Sequence, residues 1–244
     1  KVGLLRHDTV AQGPAAITAR LAALRAEGVP LVVADAVDNA DLQRLAEGAG
    51  HLPLWVAGSG LALGLPAVLA ARGWVTLDAQ AAQLDQLTGR AAMLAGSCSL
   101  ATQGQVARWI SAGRPALKIE PAALARGEPV AAQALAWALQ QADTPLVYAT
   151  TDANTLAGTQ AALGAAQAGA LVEHALAHIA QGLVAAGTQR LVVAGGETSG
   201  AVVHCPGVPW TQAVRNAGQA PLQLALKSGN FGGPDFFAEA LAAH

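Results

Sequence analysis

Between Arg190 and Val203 the chain reads RLVVAGGETSGAVV, an apolar strand running into two glycines and then into residues suited to start a helix. Arg190 to Ala194 has the composition of a buried parallel strand, and Gly195 and Gly196 let the backbone turn with no Cβ in the way. Thr198 or Ser199 then suits a helix N-cap. The unpaired N–H groups and positive dipole end of such a helix favour an anion, so a phosphate fits this corner. On this segment alone a purely structural strand-to-helix turn is the favoured reading, because Gly-Gly corners occur in many α/β proteins that bind nothing there.

Two further corners carry similar chemistry. Gly96-Ser97-Cys98-Ser99 follows the apolar run Ala91 to Ala95, and Lys227-Ser228-Gly229-Asn230-Phe231-Gly232-Gly233 follows Leu222 to Leu226. Backbone amides and the hydroxyls of Ser97, Ser99, Thr198 and Ser199 offer hydrogen bonds to phosphate oxygens, and Lys227 offers a positive charge. Corners this far apart in sequence line one crevice when their strands are parallel, because the carboxyl ends then share one edge. No Walker A loop and no Gly-x-Gly-x-x-Gly fingerprint is present, and the missing fingerprint argues against a dinucleotide oxidoreductase.

The elements that must position these corners alternate in type. Strands are expected at Val2 to Leu5, Leu31 to Ala34 and Leu54 to Ala57, with helices from about Pro14 to Glu27 and Asn39 to Ala49. Pro14 suits a first helical turn, Gly28 a helix end, and Asp38 or Asn39 the next cap. Gly58-Ser59-Gly60 then opens a glycine-rich turn and a short helix ending near Arg72. A second series follows, with strands Ala91 to Ala95, Ala116 to Ile119, Leu146 to Thr150, Leu191 to Ala194 and Leu222 to Leu226. Helices near Thr102 to Ala112, Pro129 to Gln141 and Ala165 to Ala186 separate them. This predicts an α/β protein of two Rossmann-like lobes, each a mainly parallel sheet flanked by helices. The expected boundaries are a first lobe over 1–73, a linker over 74–90 and a second lobe over 91–244.

Four ordered segments resemble the four-carbon acid sugar kinases: Ala95-Gly-Ser-Cys-Ser with Thr102 and Gln105, Val193-Ala-Gly-Gly-Glu-Thr-Ser-Gly-Ala-Val, Pro206-Gly-Val-Pro-Trp210, and Leu224-Ala-Leu-Lys-Ser-Gly-Asn-Phe-Gly-Gly. Leu61-Ala-Leu-Gly-Leu-Pro66 after Gly58-Ser-Gly resembles the end of that family's sugar-binding domain, so the likeness runs along nearly the whole chain. The resemblance implies an N-terminal acid-sugar domain and a C-terminal nucleotide domain. It implies transfer of the γ-phosphoryl group of ATP to the terminal hydroxyl of 3-oxo-tetronate, threonate or erythronate.

Carried over by motif, the ATP contacts are Ser97, with Ser99 as the alternative, Gly195, Gly196, Glu197, Thr198 and Gly229, and the sugar acid falls at Ser59 and Gly60. Glu197 is placed either to hold Mg²⁺, directly or through water, or to serve as a helix-start carboxylate. Two departures stand out. The aspartate-rich segment expected to grip the sugar acid and supply the catalytic base is not among these residues, which suggests that the first part of the N-terminal domain lies upstream of Lys1. Only His204 and Cys205 separate Val203 from Pro206, where the family has a longer stretch with another strand. Were the chemistry lost with that segment, the chain would be a non-catalytic sensor of a sugar acid or nucleotide.

Composition bounds the rest. The 244 residues are 53% hydrophobic and 12% charged, with a formal charge of −2. Mean hydropathy is +0.37 and the pI near 6.3, yet no run of roughly 18 uninterrupted apolar residues marks a membrane span. No basic surface is expected for nucleic acid or an anionic membrane, which leaves small molecules and a further copy of the chain as partners. Two isolated cysteines, Cys98 and Cys205, with no leader pattern, point to the cytoplasm, and Cys98 reads as a small buried residue. Glu173, His174 and His178 read as a solvated helix face, Asp35 and Asp38 as turn or sugar-site residues, and Trp210 as core or a wall of the nucleotide cleft.

Overall fold

The computed structural model describes residues 1–80, 87–151, 164–205 and 222–242, and the chain divides into two compact units, Lys1–Gln83 and Leu84–His244. In the first unit β1 (Val2–Leu5) pairs in parallel with β2 (Leu31–Ala34), Val2 opposite Leu31 and Leu5 opposite Ala34. A single-turn helix, α1 (His7–Val10), and α2 (Pro14–Ala26) connect them. Pro14 sits in the first turn of α2, where its missing N–H is no loss. α3 (Asn39–Ala49) begins at Asp38, whose carboxylate accepts from the Asp41 N–H at 2.8 Å. A 3-10 turn, Ser59–Gly64, then leads into α4 (Leu65–Ala71). It lies so close to α3 that a Cβ on Gly64 would stand 2.9 Å from the Ala46 Cβ.

Leu5, Val10, Ile17, Leu21 and Leu45 form the core of this unit. The opposite face of its sheet, carrying Val2, Leu4, Leu31 and Val33, is exposed. Residues 54–57, expected as a third strand, are irregular, with Leu54 and Val56 exposed. The described sheet of this unit contains β1 and β2 alone, and an apolar tetrapeptide becomes a strand only where a neighbour completes its ladder.

The second unit holds β3 (Ala91–Ala95), α5 (Leu100–Ser111), β4 (Ala116–Lys118), α6 (Pro121–Ala125), α7 (Val130–Gln140) and β5 (Leu146–Tyr148). It continues with α8 (Ala165–Ala185), β6 (Arg190–Ala194), α9 (Gly196–His204), β7 (Gln223–Lys227) and α10 (Phe236–Ala242). Its five strands are all parallel, in the order β4-β5-β3-β6-β7. The short helices α6 and α10 escape a sequence reading because five and seven residues hold too few turns to establish a period.

Alternation along β3 sorts the two faces. Ala92 and Leu94 pack with Ile179, Leu183 and Val202 beneath α7, α8 and α9, while Met93 and Ala95 pack with Val106, Trp109 and Phe237 beneath α5 and α10. β3 and β6 are neighbours, yet the helices leaving them, α5 and α9, cross to opposite faces. This is the topological switch point of an open α/β sheet, where a crevice opens at the strand carboxyl ends. Among the described residues no helix is long and apolar enough to cross a membrane.

Leu94 is fully buried in the central strand. Replacing it with Ala is expected to lower the unfolding free energy of the second unit by about 2–5 kcal/mol, as lost burial and a residual cavity add. Denaturant unfolding checks this, and a loss under about 1 kcal/mol would contradict the packing described.

Candidate functional site

The corners after β3, β6 and β7 are laced together through their backbones. Gly96 N–H donates to Ala194 O at 3.0 Å, and Gly195 N–H donates to Lys227 O at 2.9 Å. Gly195 has φ 129°, a conformation that L side chains rarely adopt, and it turns the chain directly from β6 into α9. The helix therefore starts at Gly196, and Thr198 and Ser199 do not cap it, contrary to the sequence expectation. Among the described residues no side chain caps α9, and its first intrahelical bond runs from Ser199 N–H to Gly195 O at 2.8 Å. The amides of Gly196, Glu197 and Thr198 are left without intrahelical acceptors, at the positive end of the helix dipole.

Side chains at this helix start turn inward. Thr198 and Ser199 are buried, and Thr198 Oγ1 packs against Gly96 and Gly195. Ser199 Oγ is buried with no hydrogen-bond partner among the described residues. At this helix start Thr198 thus presents its backbone amide and not the hydroxyl expected from sequence, while the Ser199 N–H is taken by Gly195 O. Gly196 is exposed, and a Cβ placed there would meet nothing within 4 Å.

The β7 corner is held by side chains from α5. Gly229 O accepts from Ser99 Oγ, from Thr102 Oγ1 at 2.9 Å and from Lys227 Nζ at 2.7 Å. Lys227 Nζ also donates to Thr102 Oγ1 and to Ser228 O, each at 2.9 Å. Leu226 is exposed and Lys227 only 2% exposed, as strand alternation requires once α5 and α10 cover that face. The lysine offered by the sequence as a phosphate partner is therefore spent inside the protein, its three N–H bonds all matched. Burial pushes its pKa below the ordinary lysine value. Charge-assisted bonds worth about 1.5–3 kcal/mol each are what offset the several kcal/mol of desolvating an ammonium.

Gln105, fully buried one helical turn further on, fixes the next stretch. Its Nε2 lies 3.0, 3.1 and 2.9 Å from the carbonyl oxygens of Phe231, Gly232 and Gly233, while its Oε1 has no partner among the described residues. Ser99, Thr102 and Gln105 form a polar stripe at spacing three on an otherwise amphipathic helix. That spacing is the sequence signal for a loop-holding face, a role distinct from the phosphate contact expected of Ser99.

Ser97 lies between the two glycine corners. A Cβ on Gly229 would stand 2.7 Å from Ser97 Oγ, and one on Gly195 would stand 3.2 Å from Ser97 N. Ser97 Oγ accepts from Ser99 N–H at 3.2 Å, which leaves its own proton for another acceptor, whereas Ser99 Oγ is occupied by Gly229 O and Thr102. Glu197 is exposed in the first turn of α9. Among the described residues no group of three His, Cys, Asp or Glu side chains could hold a metal ion. A lone exposed carboxylate fits Mg²⁺, which takes one or two carboxylates and leaves its remaining positions to phosphates and water. Cys98 is half-buried, His174 and His178 lie exposed on α8, and Pro206 to Trp210 fall outside the described residues.

In the first unit, Ser59 lines a cleft of about 410 Å³ together with Leu52, Trp55, Leu65, Arg72 and Trp74. Arg72 stacks 5.3 Å from the Trp74 ring centroid, and Gly60 is exposed on the same 3-10 turn. At the carboxyl end of β1 the fully buried Asp41 accepts from Val37 N–H at 3.0 Å, from Arg44 Nη1 at 2.7 Å and from His7 Nε2 at 3.0 Å. Asp35 accepts from His7 N–H at 3.2 Å, and Asp38 is the α3 cap.

Residues 92–205 match the family model of a nucleotide-binding C-terminal domain, and residues 1–65 that of a sugar-binding N-terminal domain. A 3-oxo-tetronate kinase of Cupriavidus necator is 52% identical over 99% of this chain, and one of Pseudomonas fluorescens is 51% identical over 98%. The chain belongs to the four-carbon acid sugar kinase family. It spans 58% of the length of these two relatives. A crystal structure of a Salmonella typhimurium LT2 protein, carried under a provisional description as a tRNA synthase, superposes with a TM-score of 0.70 at 36% identity, over 98% of this chain and 59% of that one. A Haemophilus influenzae protein superposes with a TM-score of 0.66 at 32% identity, over 99% of this chain and 60% of its own.

Of the positions that resemblance to the acid sugar kinases assigns to ATP, Ser97, Gly195, Gly196, Glu197, Thr198 and Gly229 all lie on the corners after β3, β6 and β7. Ser59 and Gly60 lie in the other unit. Within that unit the Val37 amide, then Arg44 and His7, hold the Asp41 carboxyl below its ordinary pKa, with burial opposing them. A carboxylate depressed on folding adds stability above its unfolded pKa and loses it as pH falls through the folded value. Asp41→Asn is therefore expected to destabilise the first unit at pH 7, and the gap from wild type is expected to narrow toward roughly pH 3. Thermal melts across that range check it, and a gap constant with pH would refute it.

Proposed function

We propose that this chain supplies the nucleotide-binding part and a portion of the acceptor-binding part of an ATP-dependent kinase. The γ-phosphoryl group passes to the terminal hydroxyl of a four-carbon sugar acid of the 3-oxo-tetronate type, threonate and erythronate being the near alternatives. The observation that carries this reading is the meeting of three corners, after β3, β6 and β7, at one switch-point crevice. Kinase relatives at about half identity support the reaction class, and the nucleotide-binding family match over 92–205 supports ATP.

Phosphoryl transfer asks a protein mainly for positioning and charge neutralisation. The free amides of Gly196, Glu197 and Thr198 and the hydroxyl of Ser97 bind phosphate oxygens, and the Gly229 loop closes the opposite side. Such fixed dipoles need no reorganisation as charge shifts toward the leaving group. Glu197 would hold the Mg²⁺ carried with the triphosphate, which would supply neutralisation of phosphate charge. Ser59 and Gly60 meet the sugar acid, and Arg72 at the same cleft offers a guanidinium to its carboxylate.

Turnover tests the proposal directly. ADP release coupled to NADH oxidation is expected with 3-oxo-tetronate, threonate or erythronate, in a protein that includes this chain and the remaining length of its relatives. Tight ATP binding without turnover on any of the three acids would favour a sensor. A site test comes from Gly196→Val, which puts a branched side chain into the open space before α9. ATP affinity is expected to drop at least about tenfold, roughly 1.4 kcal/mol, while the melting temperature changes little. Unchanged affinity in that variant removes Gly196 from the nucleotide site.

A further inference from the structure

A buried lysine with no free proton poses a question of role. Lys227 donates to Thr102 Oγ1, Ser228 O and Gly229 O at 2.9, 2.9 and 2.7 Å, so its ammonium has nothing left for a ligand. What it does fix is peptide orientation. In a trans peptide the carbonyl of one residue and the N–H of the next point in opposite directions. Drawing the Ser228 and Gly229 carbonyls toward the ammonium therefore turns the N–H groups of Gly229 and Asn230 away from it. Ser99 Oγ and Thr102 Oγ1 pull on the same Gly229 oxygen, and the Gly229 Cα lies close against Ser97. Successive amides presented outward in this way form an anion-binding concavity.

We infer that Lys227 is a positioning residue for the nucleotide phosphates, acting through the Gly229 and Asn230 amides without touching the ligand. The inference rests on the kinase reading above and adds to it the device that orients one wall of the phosphate site. Lysine suits this task because it brings three donors on one small head to acceptors on two elements, β7 with its corner and α5. The same burial that removes it from the ligand leaves its positive charge beneath the loop, where it favours the amide orientation that an anion needs.

Phosphate-dependent affinity separates positioning from general stability. Equilibrium dialysis of wild type and Lys227→Met with Mg-ATP and, separately, with adenosine reads the two contributions apart. The variant is expected to bind Mg-ATP at least about tenfold more weakly and adenosine within about twofold of wild type. Equal loss on both ligands, or no loss on either, overturns the inference while leaving the kinase reading intact. A wild-type protein that takes up no Mg-ATP overturns both. Thr102→Val, which keeps the ammonium but removes the hydroxyl between it and Gly229, serves where Lys227→Met does not melt cooperatively, and the same split is expected. Loss of cooperative melting in both variants assigns the cluster to stability alone and overturns the inference.

Discussion

One carbonyl oxygen, that of Gly229, accepts from Ser99, Thr102 and Lys227, and through it the start of α5 is tied to the end of β7. The loop after β7 has no regular structure to hold its shape, and glycines at 229, 232 and 233 leave it with a large entropy to lose on ordering. Buried side-chain donors meet that cost, first at Gly229 and then, through Gln105, at Phe231, Gly232 and Gly233. The outward-facing amides of the crevice follow from this inward satisfaction of carbonyls.

The β6 corner reaches the same end by the opposite route. Among the described residues no long side chain draws a carbonyl inward there. A left-handed Gly195 turns the backbone into α9 within one residue, and the lack of any capping side chain leaves three amides available. A serine or threonine cap would have occupied one of them. The two corners thus represent two solutions to presenting backbone N–H groups, one by clamping carbonyls and one by omitting a cap.

Much of this was legible in the residues, and the gaps have physical causes. The five strands of the second unit are short apolar runs bounded by glycine and polar residues, so β3 over Ala91–Ala95 was placed to the residue and β6 to within one. Convergence of the three corners followed from parallel connectivity alone. Residues 54–57 misled because β propensity reports what fits a half-buried pleat, and whether a neighbouring strand exists is not a local property. Thr198 misled because cap preference assumes that the chain needs a side chain to enter the helix, and Gly195 removes that need. Lys227 misled because a cation in a glycine-rich corner suggests a phosphate partner, whereas strand alternation points the side chain under α5.

The grip on Gly229 joins positions 127 and 130 residues apart in the chain. Closure over so long a separation carries a large loop entropy, so contacts of this kind form slowly. During synthesis, α5 and β6 leave the ribosome while the strand that carries Lys227 is still inside it. The wall of the crevice at Gly229 accordingly takes shape only after β7 has followed α5 and β6 out of the ribosome.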